Sequence, residues 1–489
     1  MNCHFPGFVQ NNITYRIHTG KQHGLILETI PEEVKLVIAP DSSSNDYEVH
    51  KALRERGCDV LVLDHHEAEQ VSPYACVINN QLCDYPTKSL SGAGIVYKFC
   101  QYIDKKMNSN YADNFLDLVA LALVGDMMDL RDFETKHLVT QGLNKIRNPY
   151  FKKMIAVQNF SLQRGGGLNP FGVAFYIAPY INATIRAGGQ DKKLMLFESM
   201  LDYRGYEQIP STKRGCKGQT EMRVEQACRN CTNIKKKQDE AKNASLNAIE
   251  RIIEEQNLLN HKILVIKDSE NLVEPNFTGL VANVLAQKYQ KPTLILHESE
   301  ESWSGSGRNY SNSNLISFKD FLNDTNLVEY ATGHASAFGV SITKDNFDKF
   351  INYTDELLKD FDFTPYYYVD IIYDLETLDT NEILEIGEYR DIWGQGIEEP
   401  LVALENVRVY PNNIALYKGS TLKITLPNGM SLIRFSSNEE EFEYFSNSGL
   451  GCISINIVGK CRRNEWNGNI TPEIEVIDYE IVDKKEYYF

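Results

Sequence analysis

Residues 34–66 read VKLVIAPDSSSNDYEVHKALRERGCDVLVLDHH. Val34 to Ala39 has the pattern of a buried strand, closed by Pro40-Asp41. Tyr47 to Arg56 has helical spacing and stops at Gly57. Val60 to Leu63 is a second buried strand, closed by Asp64-His65-His66. Strand, helix, strand in this order is a βαβ unit, and therefore predicts a parallel sheet.

Working outward, Val77 to Asn80 reads as a third strand. Helices are expected at Ser91 to Asp104, Tyr111 to Val124 and Thr135 to Ile146, the last stopped at Asn148-Pro149. A Gly-rich stretch, Arg164 to Gly167, interrupts the pattern, and a basic, turn-rich segment follows at Ser211 to Gly218. Glu221 to Asn257 is one long charged helical pattern, a connector between domains. Lys262 to Ile266 and Thr293 to Leu296 read as strands flanking a helix at Gly279 to Tyr289, a second and smaller α/β unit. From Tyr366 onward β-branched and aromatic residues dominate, with turns at Pro411-Asn412, Pro427-Asn428 and Asn467-Gly468. That predicts a small antiparallel β-domain. The expected fold is thus α/β: a parallel-sheet domain over residues 1–215, a connector helix over 216–258, a smaller α/β domain over 259–362 and a β-domain over 363–489.

The chain has 489 residues, with 67 acidic against 50 basic side chains, a formal charge of −17. With 42% hydrophobic and 24% charged residues it has ample core, which excludes disorder and collagen-like repeats. The apolar runs are too short to span a bilayer, and no charged-then-apolar signal opens the sequence. Ten scattered cysteines, several in apolar runs, fit reduced thiols of a cytoplasm. The acidic balance argues against nucleic-acid binding through bulk charge but leaves room for a local positive groove.

Ligands of parallel sheets collect at the carboxyl ends of strands. Asp41 and Asp64-His65-His66 both end strands of one βαβ unit, and Gly125-Asp126 follows the apolar run Leu118 to Val124. One imidazole with two carboxylates suits Mn²⁺ or Mg²⁺. For an isolated His-His pair, a helix cap and polar side chains facing water would be the plainer reading. Gly305-Ser306-Gly307-Arg308 and Ala331-Thr332-Gly333-His334-Ala335 are expected as turn-like stretches. There backbone N–H groups, Arg308 and His334 can hold a phosphate. Ordinary turn chemistry explains either stretch taken alone. Cys228 and Cys231 form a lone CxxC, too few ligands for zinc. No G-x-S-x-G elbow, Walker loop or Rossmann fingerprint is present.

At these residues the sequence resembles the DHH phosphoesterases, specifically RecJ-type single-strand-specific exonucleases of the phage-encoded kind. Tyr15-Arg16-Ile17-His18-Thr19-Gly20-Lys21-Gln22-His23-Gly24 resembles the family's second motif and Ala39-Pro40-Asp41 its third. Asp64-His65-His66 is similar to the motif that names the family, and Gly125-Asp126 to the next metal-binding acid. Ile177 to Arg186 resembles a nuclease-type segment that smaller DHH phosphatases lack. Gly279 to Ala282, Ser306-Gly307-Arg308 and Gly333-His334-Ala335 resemble the DHHA1 domain. Trp393 to Pro400 and Gly459 to Gly468 resemble the exonucleases' OB-fold. The family also has an Asp-x-Asp strand upstream of the Tyr15 segment, and no such pair precedes Tyr15 here.

The resemblance implies a 5′→3′ exonuclease that hydrolyses single-stranded DNA to 5′-mononucleotides in replication, recombination or repair. It implies a two-metal centre with Asp41 bridging two Mn²⁺ or Mg²⁺ ions and His65 and Asp126 completing one of them. Asp64 is expected to orient His65, and His66 to sit at the scissile phosphate. Asn182 and Arg186 are expected to line the strand path, and Arg308, Gly333 and His334 to grip the terminal phosphate. A narrow cleft between the α/β units is expected to admit one strand. The implied partners are single-stranded DNA and a single-strand-binding protein, with a separate polypeptide as one source of the first strand and no membrane. The implied compartment is a bacterial cytoplasm. Two other readings fit part of the pattern: a strand-binding replication module on a nuclease fold that has lost catalysis, and a phosphatase of short oligonucleotides.

Overall fold

The structure is a computed structural model that describes residues 12–19, 23–164, 166–275, 277–446, 451–466 and 468–485. It divides into two compact units, Met1–Lys235 with Asp370–Phe489, and Lys236–Val369.

The first unit is built on β1 (Leu36–Pro40), β2 (Asp59–Asp64) and β3 (Cys76–Asn79), all parallel and in the order β1-β2-β3. The strand period of two sends alternate side chains to opposite faces. On one face Ala39, Val60 and Val62 pack with Leu53 of the crossover helix Tyr47–Glu55. On the other, Leu63 joins a larger core with Leu90, Leu123, Tyr150, Phe151 and Met154. The helices Gly92–Met107, Phe133–Asn144, Pro149–Val157 and Pro170–Tyr176 each start at a side-chain cap: Ser91, Asp132, Asn148 and Asn169. These caps satisfy N–H groups the helix itself leaves open. Among the described residues nothing pairs with the outer edge of β1, where Leu36 and Ile38 are 49% and 39% exposed.

A short hairpin, β4 (Gln208–Pro210) with β5 (Thr220–Met222), leads into the helix Arg223–Glu255. Cys228 and Cys231 lie on its first part, buried in the first unit's core, and Tyr150 Oη donates to Cys231 Sγ at 3.5 Å. Burial pushes both thiols above their ordinary range, as for apolar core residues.

The second unit holds β6 (Leu264–Asp268), β7 (Thr293–Glu298), β8 (Ser302–Arg308), β9 (Tyr330–His334) and β10 (Ala337–Thr343). The order is β6-β7-β8-β10-β9, with β6 and β7 parallel and the rest antiparallel. Here the expectation of turns is corrected. Gly305 to Arg308 and Ala331 to His334 are strand residues. A Cβ at Gly305 would overlap the Ile295 carbonyl, so this glycine lets neighbouring strands approach and does not cradle phosphate.

The remainder of the first unit is a seven-stranded sheet of β11 (Ile371–Tyr373), β12 (Val402–Val409), β13 (Ile414–Tyr417), β14 (Thr421–Thr425), β15 (Ser431–Phe435), β16 (Cys452–Trp466) and β17 (Asn469–Lys485). Its order is β11-β12-β16-β17-β15-β14-β13, antiparallel except for β11 beside β12 and β15 beside β17. Ile383, Val402, Leu404, Val407, Ile455 and Ile474 form its core. Among the described residues no helix is long and apolar enough to cross a membrane.

Candidate metal centre and strand-contact residues

The carboxyl ends of β1 and β2 bring Asp41 and His65 together. Asp41 follows Pro40, and its N–H donates to the Leu63 carbonyl at 2.9 Å. Its φ of +60° lies in the left-handed region, which Asp tolerates better than most residues. Its carboxylate rests against Gly92, the first residue of a helix, where any Cβ would overlap it. Asp126 caps the C-terminus of the helix Leu116–Gly125, its N–H donating to Ala122.

His65 Nε2 stands 3.2 Å from Asp41 Oδ1 and 3.3 Å from Asp126 Oδ2. The His65 side chain is only 10% exposed, whereas both carboxylates face solvent. Burial lowers the basicity of His65. Its hydrogen bond to Asp41 and the charges of Asp126, Asp41 and Asp64 outweigh that, so the imidazole is held above its ordinary value. Burial likewise pushes Asp126 up, with His65 pulling it down and Asp41 pushing it further up. Each carboxylate thus approaches the same imidazole nitrogen, from two different elements. Two donors at right angles on an octahedral cation lie about 3 Å apart, which is the spacing found here. The donor set of one imidazole nitrogen and two carboxylates therefore fits Mn²⁺ or Mg²⁺. His66 offers a further nitrogen: Asp41, His65 and His66 each have a ligand atom within 4.8 Å of the others'.

Asp64 corrects one expectation. Its carboxylate does not hold the His65 ring. Oδ1 takes Nδ1 of His66 at 2.7 Å and the backbone N–H of His65 at 2.8 Å, while Oδ2 takes the Ser44 N–H at 3.1 Å. Asp64 is buried, which raises its carboxyl; the bonds from His66, Ser44 and the two backbone amides outweigh this and hold it below the ordinary range. Thus Asp64 fixes the ring of His66 and the backbone of His65. Asn79, at the end of β3, completes the frame by donating to Ser44 Oγ at 2.9 Å and to the His66 carbonyl at 2.8 Å. Ser44, Asn79 and Gly92 escaped sequence reading. A Ser-rich loop after a strand and a Gly at a helix start were the only signals.

The Tyr15 segment lies against the helix Gln190–Met200. Tyr15 Oη donates to Glu198 Oε1 at 2.7 Å, and Glu198 also pairs with Arg204 and Arg223. His18 Nε2 bonds the Gly24 carbonyl at 2.7 Å. Gly20, Lys21 and Gln22 lie outside the described residues. Asn182 and Arg186 are exposed and one turn apart on the helix Ala178–Ala187, which begins beside Gly125.

In the second unit, strand register puts Arg308, Ala337 and His334 in one row across β8, β10 and β9. Residues directly opposite in an antiparallel sheet share a face. Arg308 and His334 are thus two strands, about 10 Å, apart with a small residue between. Gly333 is the neighbour of His334, opposite Phe338. The Arg308 guanidinium lies over Gly279, where a Cβ would overlap it, and Nη1 donates to the Gly307 carbonyl at 2.6 Å. Burial pulls its proton affinity down, and among the described residues no carboxylate pairs with it. It lines an open cavity of about 390 Å³ with Asn283, Gln287, Asn312, Ser313 and Ser336.

A parallel sheet that ends in Asp-His-His, with Asp41 and Asp126 converging on the first histidine, defines a DHH-type phosphoesterase core. The model of the DHH family N-terminal domain matches residues 7–123, and that of the RecJ OB domain matches residues 369–478. YorK, the candidate single-strand DNA-specific exonuclease of the SPbeta prophage of Bacillus subtilis strain 168, is 38% identical over 485 residues, 97% of this chain and 83% of YorK. The single-stranded-DNA-specific exonuclease RecJ of the same bacterium is 25% identical over 458 residues, 91% of this chain but 53% of RecJ. The fold matches that of Thermus thermophilus RecJ in complex with Mn²⁺, with a TM-score of 0.64 at 20% identity, covering 92% of this chain and 62% of that one. The Mg²⁺ complex of that protein gives 0.58 at 18% identity, covering 93% and 68%. The chain belongs to the DHH family, in its RecJ-type branch.

Proposed function

We propose that this chain is a metal-dependent exonuclease that hydrolyses single-stranded DNA to 5′-mononucleotides in the 5′→3′ direction, in a bacterial cytoplasm. The observation that carries the reading is the convergence of Asp41 and Asp126 on His65 Nε2 at the carboxyl edge of the sheet. Asp41, His65 and Asp126 would hold Mn²⁺ or Mg²⁺. That ion, when bound, would supply a more acidic water and a positive charge facing the leaving oxygen. Asp64 keeps His66 Nδ1 occupied, so its exposed Nε2 is the nitrogen available to a scissile phosphate. Asn182 and Arg186 offer an amide and a guanidinium to the strand. Arg308 and His334, with Gly333 beside them, offer the second unit's phosphate contacts. The open edge of β1 would take a further parallel strand bearing carboxylates, from another segment or polypeptide, whose end would lie beside Asp41.

The test is release of mononucleotides from end-labelled single-stranded DNA with Mn²⁺, beside a His65→Ala chain. Expected is release from the 5′ end that needs both Mn²⁺ and His65. Release that persists in His65→Ala would sink the metal assignment. No release, with strand binding intact and unresponsive to an added Asp-x-Asp strand, would leave a binding module.

A further inference from the structure

Asp126 ends a helix, its N–H on Ala122, and the loop that follows it is fixed in part from far along the chain. Met127 has φ +58° and turns the backbone away from the helix, with its N–H on Val124 and that of Met128 on Leu123. Beyond Met128 the helix offers nothing more. The Leu130 N–H instead donates to the Gln395 carbonyl at 2.8 Å. Gln395 sits at the tip of a tight hairpin in which Gly394 and Ile397 exchange both main-chain hydrogen bonds, at 2.9 and 3.0 Å. Gly396 has φ +80°, and a Cβ there would overlap the Asp129 carboxylate. To yield, Asp129 would have to give up the Arg131 guanidinium and backbone N–H, which clasp it at 2.9–3.0 Å. The Ile397 side chain packs on the core that contains Leu123 and Leu130. So one hairpin supplies residues 129–131 with a hydrogen bond and two close backbone approaches, Gly396 on Asp129 and Gly394 on Leu130.

We infer that the hairpin Trp393–Ile397, within the region matched by the RecJ OB domain, is a positioning element for Asp126. It acts through the loop 127–131. This rests on the reading of Asp126 as a ligand. A ligand must be held within roughly 0.5 Å, and Asp126, with only the end of its helix behind it, depends on the hairpin for that.

The experiment measures Mn²⁺ binding to the full chain by electron paramagnetic resonance of free Mn²⁺, with strand affinity measured separately in chelator. Gly396→Ala should weaken Mn²⁺ binding about 10–100-fold, the range for lost supporting contacts. Strand affinity in chelator should hold, and excess Mn²⁺ should restore turnover. Adding Asp129→Ala to that variant should return part of the affinity, since the overlapping carboxylate is gone. If the alanine chain does not fold, Gly396→Asn tolerates the positive φ and creates the same overlap. Wild-type Mn²⁺ affinity in a folded Gly396 variant, with only the melting temperature lowered, would make the hairpin mere packing and overturn the inference. Absence of His65-dependent Mn²⁺ binding in the unaltered chain would overturn the metal centre itself, and the inference with it.

Discussion

Asp64 and Glu221 show the same physics with different consequences. Both are buried carboxylates surrounded by donors. Asp64→Asn keeps the shape but turns one acceptor into a donor facing Ser44 N–H or the His66 ring. The expected outcome is a folded chain, less stable by about 1–3 kcal/mol, with turnover lost because His66 is no longer fixed. Thermal melting beside strand degradation checks both halves. Glu221 accepts from both Arg229 Nη atoms, Ser211 and the Thr212 N–H, and the Arg229 bond first of all pulls its carboxyl down to about 2. The folded value lies below the unfolded one, so between the two the unfolded chain binds more protons and stability rises with pH. The melting gap between the native chain and Glu221→Gln should be constant above about pH 5 and close as the pH falls toward 2. Arg308→Ala should lower strand affinity and reduce the salt slope by roughly one; an unchanged slope would remove Arg308 from the phosphate contacts. At this scale Asp41, Asp64 and His65 were legible because each ends a strand with a clear apolar run. Which ring Asp64 holds was not legible. That depends on the direction the chain takes after β2, and two adjacent histidines give no sequence cue.

The parallel sheet was legible as an element pattern, since strand, helix and strand alternate within thirty or so residues. The strands β8 and β9 were not. Glycine is depleted in strands, so a run such as Gly305-Ser306-Gly307 reads as a turn. Only the register with Ile295 and Phe338 explains why small residues are needed there. The strand order β6-β7-β8-β10-β9 is likewise set by packing on Leu294, Val340 and Phe350, not by local sequence. In the long hairpin of β16 and β17, Arg462 is 12% exposed and sits between Glu399 and Glu475. Arg462→Ala leaves Glu399 with Lys460 alone and takes a cation from the partly exposed Glu475, and should cost about 1–3 kcal/mol. Arg462→Met with Glu399→Gln should cost clearly less, and equal melting temperatures for the two would refute the ion-pair account.

At the scale of the molecule, the first unit is discontinuous: Lys236–Val369 is inserted between its two parts. The sequence pattern reads as four segments in a row, because periodicity is blind to contacts such as that of Leu130 with Gln395. Two calorimetric transitions are expected. Phe350→Ala, which empties part of the second unit's core, should move one of them by about 3–5 kcal/mol and leave the other in place. A single transition that shifts as a whole would show that the units melt together.

The same interruption has a consequence in time. The Met127–Asp132 loop leaves the ribosome long before the hairpin that completes it, with the 134 residues of Lys236–Val369 translated in between. At about 5–20 residues per second that insertion alone takes about 7–27 s. Throughout that interval the nascent chain holds Leu130 without the hairpin that covers it, its N–H still without the Gln395 carbonyl. The order of synthesis, more than the finished contacts, therefore sets when this part of the core can close.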